Sequence, residues 1–445
     1  MKLICWKSLG FSLVALIVAA FVPAYAQEIP APKPQAAAMP SILTLEEVTA
    51  WALEKSPVLA AYDSRASAAS ASRLEARALP NPEVSIEAEN IYGDGPYDGF
   101  DGAEVTYGVS QLLEFPGKRG NRVKVAEAAN TKLHYSRDAA RLNLIRDITV
   151  AYAEVVAAQQ GMAILSAERA LATEVHDKVS AKVDAGKEPL IQKKKAEIER
   201  SASEIALERA GRTLNAKRET LQALMGGDKG NFLVTTEGLP SLTEPQPLEN
   251  YRARLMQTPD VKSLDADIAQ AQSALALERA NAVPDPTFNF GVRDFREDDA
   301  QALVAGVSFP IPVFNMNRAG VQRAGHELNA AVMDQRGTQL SIDALLTEVY
   351  GGFVSAYSEA TALKATLLPG AEEAFSFARE GYDAGKFGYL EVLDAQRTLF
   401  DARKQLNDAV LDYHRQRAII ERMTAIHAEN EHITIKENEY GPVQN

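Results

Sequence analysis

The sequence predicts a mainly α chain with a β-barrel portion: long coiled-coil-like helices joined to four membrane-length strands that several copies must pool. Three observations predict it. The chain is written twice, each copy carries a pair of alternating strands, and each copy continues into a helical stretch too long for a compact domain.

The repeat comes first. Asp184-Ala185-Gly186-Lys187 returns as Asp383-Ala384-Gly385-Lys386, an offset of 199. Leu79-Pro80-Asn81-Pro82 returns as Val283-Pro284-Asp285-Pro286, Gly108-Val109-Ser110 as Gly306-Val307-Ser308, and Ser56-Pro57 as Thr258-Pro259. All four matches keep one order at offsets of 198 to 204. They assign a first repeat to 44–240 and a second to 248–427. Each opens with a helical stretch (44–79, then 248–282) that a Pro-x-Pro break ends, because proline blocks helix continuation and restrains the residue before it.

The strands are expected at 82–92, 103–113, 286–295 and 301–310. Val84, Ile86, Ala88 and Tyr92 alternate with Glu83, Ser85, Glu87 and Glu89. Val105, Tyr107 and Val109 alternate with Glu104, Thr106 and Ser110, and Phe288, Phe290 and Val292 with Asn289, Gly291 and Arg293. The fourth, Leu303 to Phe309, is less polar. About ten residues is the length of a tilted strand that crosses a bilayer. Four strands cannot close a barrel, and open edges are not tolerated in lipid. Two copies would supply about eight strands and three about twelve; the pattern alone does not choose.

No proline occurs between Pro116 and Pro189, so a helix across that gap would reach roughly 100 Å. Within it Leu144, Ile148, Ala151, Val155, Ala158, Met162 and Leu165 follow 4-3 heptad spacing. The same seam recurs, shifted by 198, from Ile342 to Leu363. This is the pattern of helices packed side by side in a coiled coil, and an ordinary helical bundle shares it. Helix reversals, the periplasmic tips of the resemblance below, are expected near 184–189 and 383–389.

The ends and the charge bound the environment. Lys2, Lys7, an apolar run from Leu9 to Val22 and Ala24-Tyr25-Ala26 predict a signal peptide over 1–26. Residues 27–43 read as an extended Pro/Ala lead-in, and 428–445 as a polar tail. The only cysteine, Cys5, falls in the signal, which excludes disulfides and thiolate chemistry from the mature chain. Net charge is −13, and −15 once Lys2 and Lys7 are removed. That argues against nucleic acid as a partner. No segment after the signal offers ~18 uninterrupted apolar residues, so a membrane crossing would have to be a barrel.

With those residues in place, the chain resembles the TolC family of outer membrane factors over roughly 44–427. The strongest local match is Gly381-Tyr382-Asp383-Ala384-Gly385-Lys386 followed by 390–399. The segment from Gln111 to Arg119, with its Gly117-Lys118-Arg119, resembles the CzcC-type branch that serves heavy-metal pumps of the resistance–nodulation–division class. The resemblance implies a homotrimer with twelve pooled strands, a transmembrane β-barrel in outer-membrane lipid and an α-barrel tunnel crossing the periplasm. It implies an equatorial region that includes 226–247, with the tail after His427 expected either to join it or to be disordered. The implied partners are a periplasmic adaptor protein and an inner-membrane pump.

The resemblance also points to working residues. Ala185, Gly186, Lys187, Ala384, Gly385 and Lys386 would meet the adaptor, although the glycines also serve simply to turn the chain. Glu391 and Asp394 lie three apart on one helix face and would form acidic rings at the closed end of the tunnel, with Tyr382 part of the gate. Phe387 stands where the best-matched member carries an arginine that helps hold the tips closed. The histidines, His134, His176, His326, His414, His427 and His432, lack zinc-site spacing, so no metal site is expected. No P-loop, Gly-x-Ser-x-Gly or His-Glu-x-x-His is present, so neither cofactor nor catalysis is expected. The reading is a passive duct for heavy-metal cations. Drug efflux and type I protein secretion are its rivals within transport, and a periplasmic coiled-coil scaffold its rival outside.

Overall fold

A computed structural model describes residues 42–227, 233–235 and 239–426. The expected signal peptide, most of the lead-in, part of 226–247, His427, His432 and the tail lie outside the described residues.

A short strand β1 (Ile42–Leu43) precedes the first repeat, which opens with helix α1 (Leu45–Lys55). Thr44 and Glu47 cap α1 reciprocally: the Glu47 amide donates to Thr44 Oγ1 at 3.3 Å and the Thr44 amide to Glu47 Oε2 at 2.8 Å. Helix α2 (Pro57–Arg77) follows directly. The stretch 44–79 is thus two helices, because Ser56 is extended and Pro57 opens a new first turn. Thr258-Pro259 does the same in the second repeat, parting α5 (Leu248–Leu255) from α6 (Pro259–Asn281).

Strands β2 (Glu83–Glu89) and β3 (Glu104–Leu112) come next, then the 67-residue helix α3 (Lys118–Asp184) and its return partner α4 (Leu190–Leu224). At 1.5 Å per residue α3 is about 100 Å long. A two-residue strand β4 (Leu233–Val234) pairs parallel with β1. The second repeat continues through β5 (Thr287–Phe295) and β6 (Ala300–Ser308) to α7 (Arg318–Ala362). There the copies differ. A π-helical turn, Leu363–Leu367, interrupts the second long helix just ahead of Pro369, and α8 (Leu368–Asp383) and α9 (Tyr389–Thr424) complete the chain. Proline lacks the amide that α-helical bonding needs at that point, and the wider turn accommodates it.

The four long strands form one antiparallel sheet in the order β2-β3-β5-β6. Its register sorts side chains by polarity. Ile86, Tyr107, Val292 and Leu303 form one cross-strand row, and Val84, Val109, Phe290 and Ala305 the next. The opposite face carries Glu87, Thr106, Arg293 and Ala302 in one row and Ser85, Gly108, Gly291 and Val304 in another. Gly108 and Gly291 face each other where a Cβ on Gly291 would come within 2.7 Å of the Tyr107 carbonyl oxygen, so the strands approach closely there. Arg293 bridges the polar face, binding Glu89 and Glu104 at 2.9 Å each and donating to Thr106 Oγ1 at 2.9 Å.

The heptad seams are buried where helices meet. Ile148 and Val155 in α3 and Leu346 and Ala360 in α7 are 0% exposed, whereas Met162, lower on α3, is 37% exposed. Tyr251, Phe353, Tyr413 and Ile420 join α5, α7 and α9 in one core. The apolar middle of α3 has an 18-residue window of mean hydropathy 1.3, enough by composition for a membrane span. Its surroundings oppose that reading. Glu154 there pairs with Lys217 at 2.7 Å and Arg415 at 2.6 Å, and Tyr152 donates to the Thr235 carbonyl at 2.6 Å. Tyr413 likewise binds Thr243, so these two tyrosines pin the segments at Thr235 and Thr243 to the long helices.

Candidate functional site: the helical tips

Both long hairpins reverse through the same motif. Gly186 has φ +71° and Gly385 φ +70°, the left-handed region that glycine enters without a Cβ penalty. At the first tip the Lys187 amide donates to the Lys182 carbonyl at 2.9 Å and the Gly186 amide to Val183 at 2.9 Å. At the second, the Lys386 amide donates to Gly381 at 2.7 Å and the Gly385 amide to Tyr382 at 3.1 Å. These are Schellman closures, which satisfy the last carbonyls of each descending helix. Ala185, Gly186, Lys187, Ala384, Gly385 and Lys386 are all exposed.

Just above the turns the hairpins are fastened to each other. Tyr382 is 4% exposed and packs with Val175, Val179, Ala196, Tyr389, Val392 and Leu393. The Lys182 ammonium lies 3.5 Å from the centre of the Tyr382 ring. Burial, then the nearby Glu188 and Asp383 carboxylates, push the Tyr382 phenol up. Its hydroxyl has no hydrogen-bond partner among the described residues. Lys178 reaches Asp383 at 3.6 Å, Arg379 reaches Glu174 at 3.0 Å and Arg397 reaches Glu199 at 2.7 Å, so three further ion pairs cross between hairpins.

Glu391 and Asp394 sit on the other side of α9. Both are exposed, while Val392, Leu393 and Gln396 behind them are buried. Neither acid joins an ion pair among the described residues. Glu391 lies in the first turn of α9, where the helix dipole favours a negative charge. The structure therefore brings Glu391 and Asp394 together on one face and sets Tyr382 apart from them, in the core between hairpins. Phe387 folds back over Gly381, and a Cβ on Gly381 would overlap its ring.

Several contacts had no signature in the sequence. Lys182 lies 200 residues from its aromatic partner, and no spacing rule links them. The Gly117-Lys118-Arg119 segment proves to be a joint between sheet and tunnel. Lys118 is buried and bonds Asp285 at 2.8 Å, the Phe115 amide donates to the same carboxylate at 2.7 Å, and Arg122 chelates Glu114. In the second repeat Glu278, Asn317 and Arg323 tie the start of α7 to α6. Among the described histidines only His414 is buried, at 5% exposure, and burial lowers its pKa to about 4.

A family model described as "Outer membrane efflux protein" matches residues 50–227 and 250–425. The chain is 28% identical to the cobalt-zinc-cadmium resistance protein CzcC of Cupriavidus metallidurans over 83% of its own length and 86% of that protein's. Its fold is similar to the outer-membrane channel OprN, with a TM-score of 0.74, 18% identity and coverage of 85% of this chain and 89% of that one. It is similar also to CusC, with a TM-score of 0.72, 18% identity and coverage of 88% and 99%.

Proposed function

The chain belongs to the outer membrane efflux protein family, and from that membership we propose that it is the exit duct of a tripartite pump for heavy-metal cations, working as a homotrimer. The observation that carries the reading is the four-stranded sheet. Its apolar face is bare, with Ile86 61%, Phe290 63% and Leu303 87% exposed, and the outer edges of β2 and β6 have no partner among the described residues. An apolar face suits lipid, and unpaired edges in lipid must be joined to other copies. The helices repeat the theme. Ile191, Ile198 and Ile205 stand exposed at heptad spacing on α4, and Met333 and Leu340 on α7.

Metal cargo is supported by the likeness to a cobalt-zinc-cadmium resistance protein and by charge. Three copies would present six carboxylates from Glu391 and Asp394, which attract cations and repel anions as acidic rings do in cation channels. Such a duct binds its cargo weakly, because conduction requires release. The exposed tips 185–187 and 384–386 would dock the adaptor, and an inner-membrane pump of the resistance–nodulation–division class would supply the energy. The test is a deletion strain challenged with cobalt, zinc, cadmium, nickel, copper and silver salts beside a panel of drugs. Metal sensitivity that the returned gene relieves is the expected result. Sensitivity to drugs and to no metal would overturn the cargo assignment.

A further inference from the structure

We infer that neighbouring copies join in one fixed register, with Ser308 of β6 opposite Ser85 of the next copy's β2, and Arg318 docked on that copy's Asn81. The inference rests on the pooled-barrel reading above and adds the pairing itself.

The argument comes from the internal repeat. In the first hairpin Glu83 pairs with Ser110, and in the second Thr287 pairs with Ser308. The offset of 204 between Pro80 and Pro284 and of 198 between Gly108 and Gly306 carries one pair onto the other. The two hairpins therefore superimpose pair for pair. Between the repeats, β3 pairs with β5, placing Ser110 opposite Asn289. β6 is the counterpart of β3 and β2 the counterpart of β5, yet both stand at free edges. The same two offsets set Ser308 against the next copy's Ser85 and Val307 against its Ile86. Polarity agrees independently. Val307 and Ile86 both lie on the apolar face, and Ser308 and Ser85 on the polar one. A slip of one residue would break that match. Four alternating strands also make β6 antiparallel to the next copy's β2.

A slip of two residues would preserve the faces but depart from the repeat offsets. The connector below β6, two residues longer from Ser308 to Arg318 than its counterpart from Ser110 to Lys118, supplies partners for the unslipped register. After β3 the Leu113 amide donates to the Pro286 carbonyl at 2.9 Å, and Lys118 bonds Asp285. Lys118 opens α3 after the left-handed residue Gly117, and Arg318 opens α7 after the left-handed residue Asn317. Asp285 corresponds to Asn81. Lys118 is 7% exposed, whereas Arg318 is exposed and its polar contact is Met316 Sδ at 3.6 Å. The connector above Arg318 leaves Phe314 101% and Ile311 76% exposed. Prolines at 310 and 312 cannot donate, but Ile311, the counterpart of Leu113, can. In the seam its amide meets the next copy's Pro82 carbonyl, Arg318 meets Asn81, and the apolar connector is covered.

The test uses the full chain with Cys5→Ser and paired cysteines, its oligomeric state measured by native mass spectrometry before oxidation. Ser308→Cys with Ser85→Cys should give a covalent ladder up to three chains, at least ten-fold above Ser308→Cys with Glu83→Cys or with Glu87→Cys. An equal or higher yield from either slipped pair overturns the register. A trimer that no pair cross-links overturns the seam but not the pooled barrel, whereas a monomer overturns the pooled barrel itself. As a second measurement, Arg318→Ala and Asn81→Ala should each lower the temperature at which the detergent-resistant trimer dissociates, and the double variant should lower it no further. Unchanged dissociation, or fully additive losses, would remove the Arg318 contact from the proposal.

Discussion

The Lys182 ammonium faces the ring of Tyr382 at 3.5 Å and reaches the Tyr382 carbonyl at 3.3 Å, so one side chain fastens the last turn of α3 to the last turn of α8. A partly desolvated contact of this kind contributes about 1–2 kcal/mol. Lys182→Ala should therefore speed amide exchange across 381–387 and raise single-channel conductance, while Lys182→Arg should preserve both. Unchanged exchange in the alanine variant would show that the ion pairs alone hold the tip.

Gly381 has room for no side chain beneath Phe387. Gly381→Ala should destabilise the second tip by about 1–3 kcal/mol, the usual cost of overpacking. Combining it with Phe387→Ala should restore most of the loss. Limited proteolysis at 383–388 reads both outcomes, and additive effects would separate the two residues.

Glu391→Ala with Asp394→Ala removes six carboxylates from a trimer. Conductance in planar bilayers should rise, or cation preference should weaken. Unchanged current and unchanged ion selectivity would take these acids out of the constriction.

His414 gives a pH dependence with a definite sign. Its folded pKa, about 4, lies below the ordinary 6.5, with burial the main cause, Arg417 lowering it further and Glu421 opposing. Between those values the unfolded chain binds the extra proton, so stability is full above about 6.5 and falls as pH drops toward 4. The loss from this residue is on the order of 3 kcal/mol. His414→Gln should flatten the slope of thermal unfolding against pH in that window. A slope equal to that of the parent would assign the acid sensitivity elsewhere.

Much of the architecture could be read in advance, for identifiable reasons. The fold class followed from period-two strands, heptad seams and the repeat, each of which is a local pattern repeated many times. The seams Ile148–Val155 and Leu346–Ala360 are buried because heptad spacing leaves those residues no other face. The break at Ser56-Pro57 was visible as a repeat match, but its power to split a helix emerged only with the extended Ser56 backbone. The tips were legible as glycines. The clamp was not, because Lys182, Tyr382 and Phe387 meet through two hairpins whose relative placement no single-helix pattern encodes. Likewise Lys118 looks like part of a cationic motif until Asp285, 167 residues away, comes to it.

The π-helical turn at Leu363–Leu367 sets the rotational phase of everything below it. The seam above it ends at Ala360 and Leu363, and unbroken heptad spacing would bring positions 370, 377 and 381 inward. Instead Ala371 and Ala378 are buried, each one residue later, Phe377 is left 59% exposed, and Tyr382 is buried beside Gly381. One additional residue in a helix turns all that follow by about 100°. That quarter-turn or so is what swings the Tyr382 ring toward α3, so the fastening at the tip is dialled in some fifteen residues upstream, by a local change of helical pitch that the first repeat lacks.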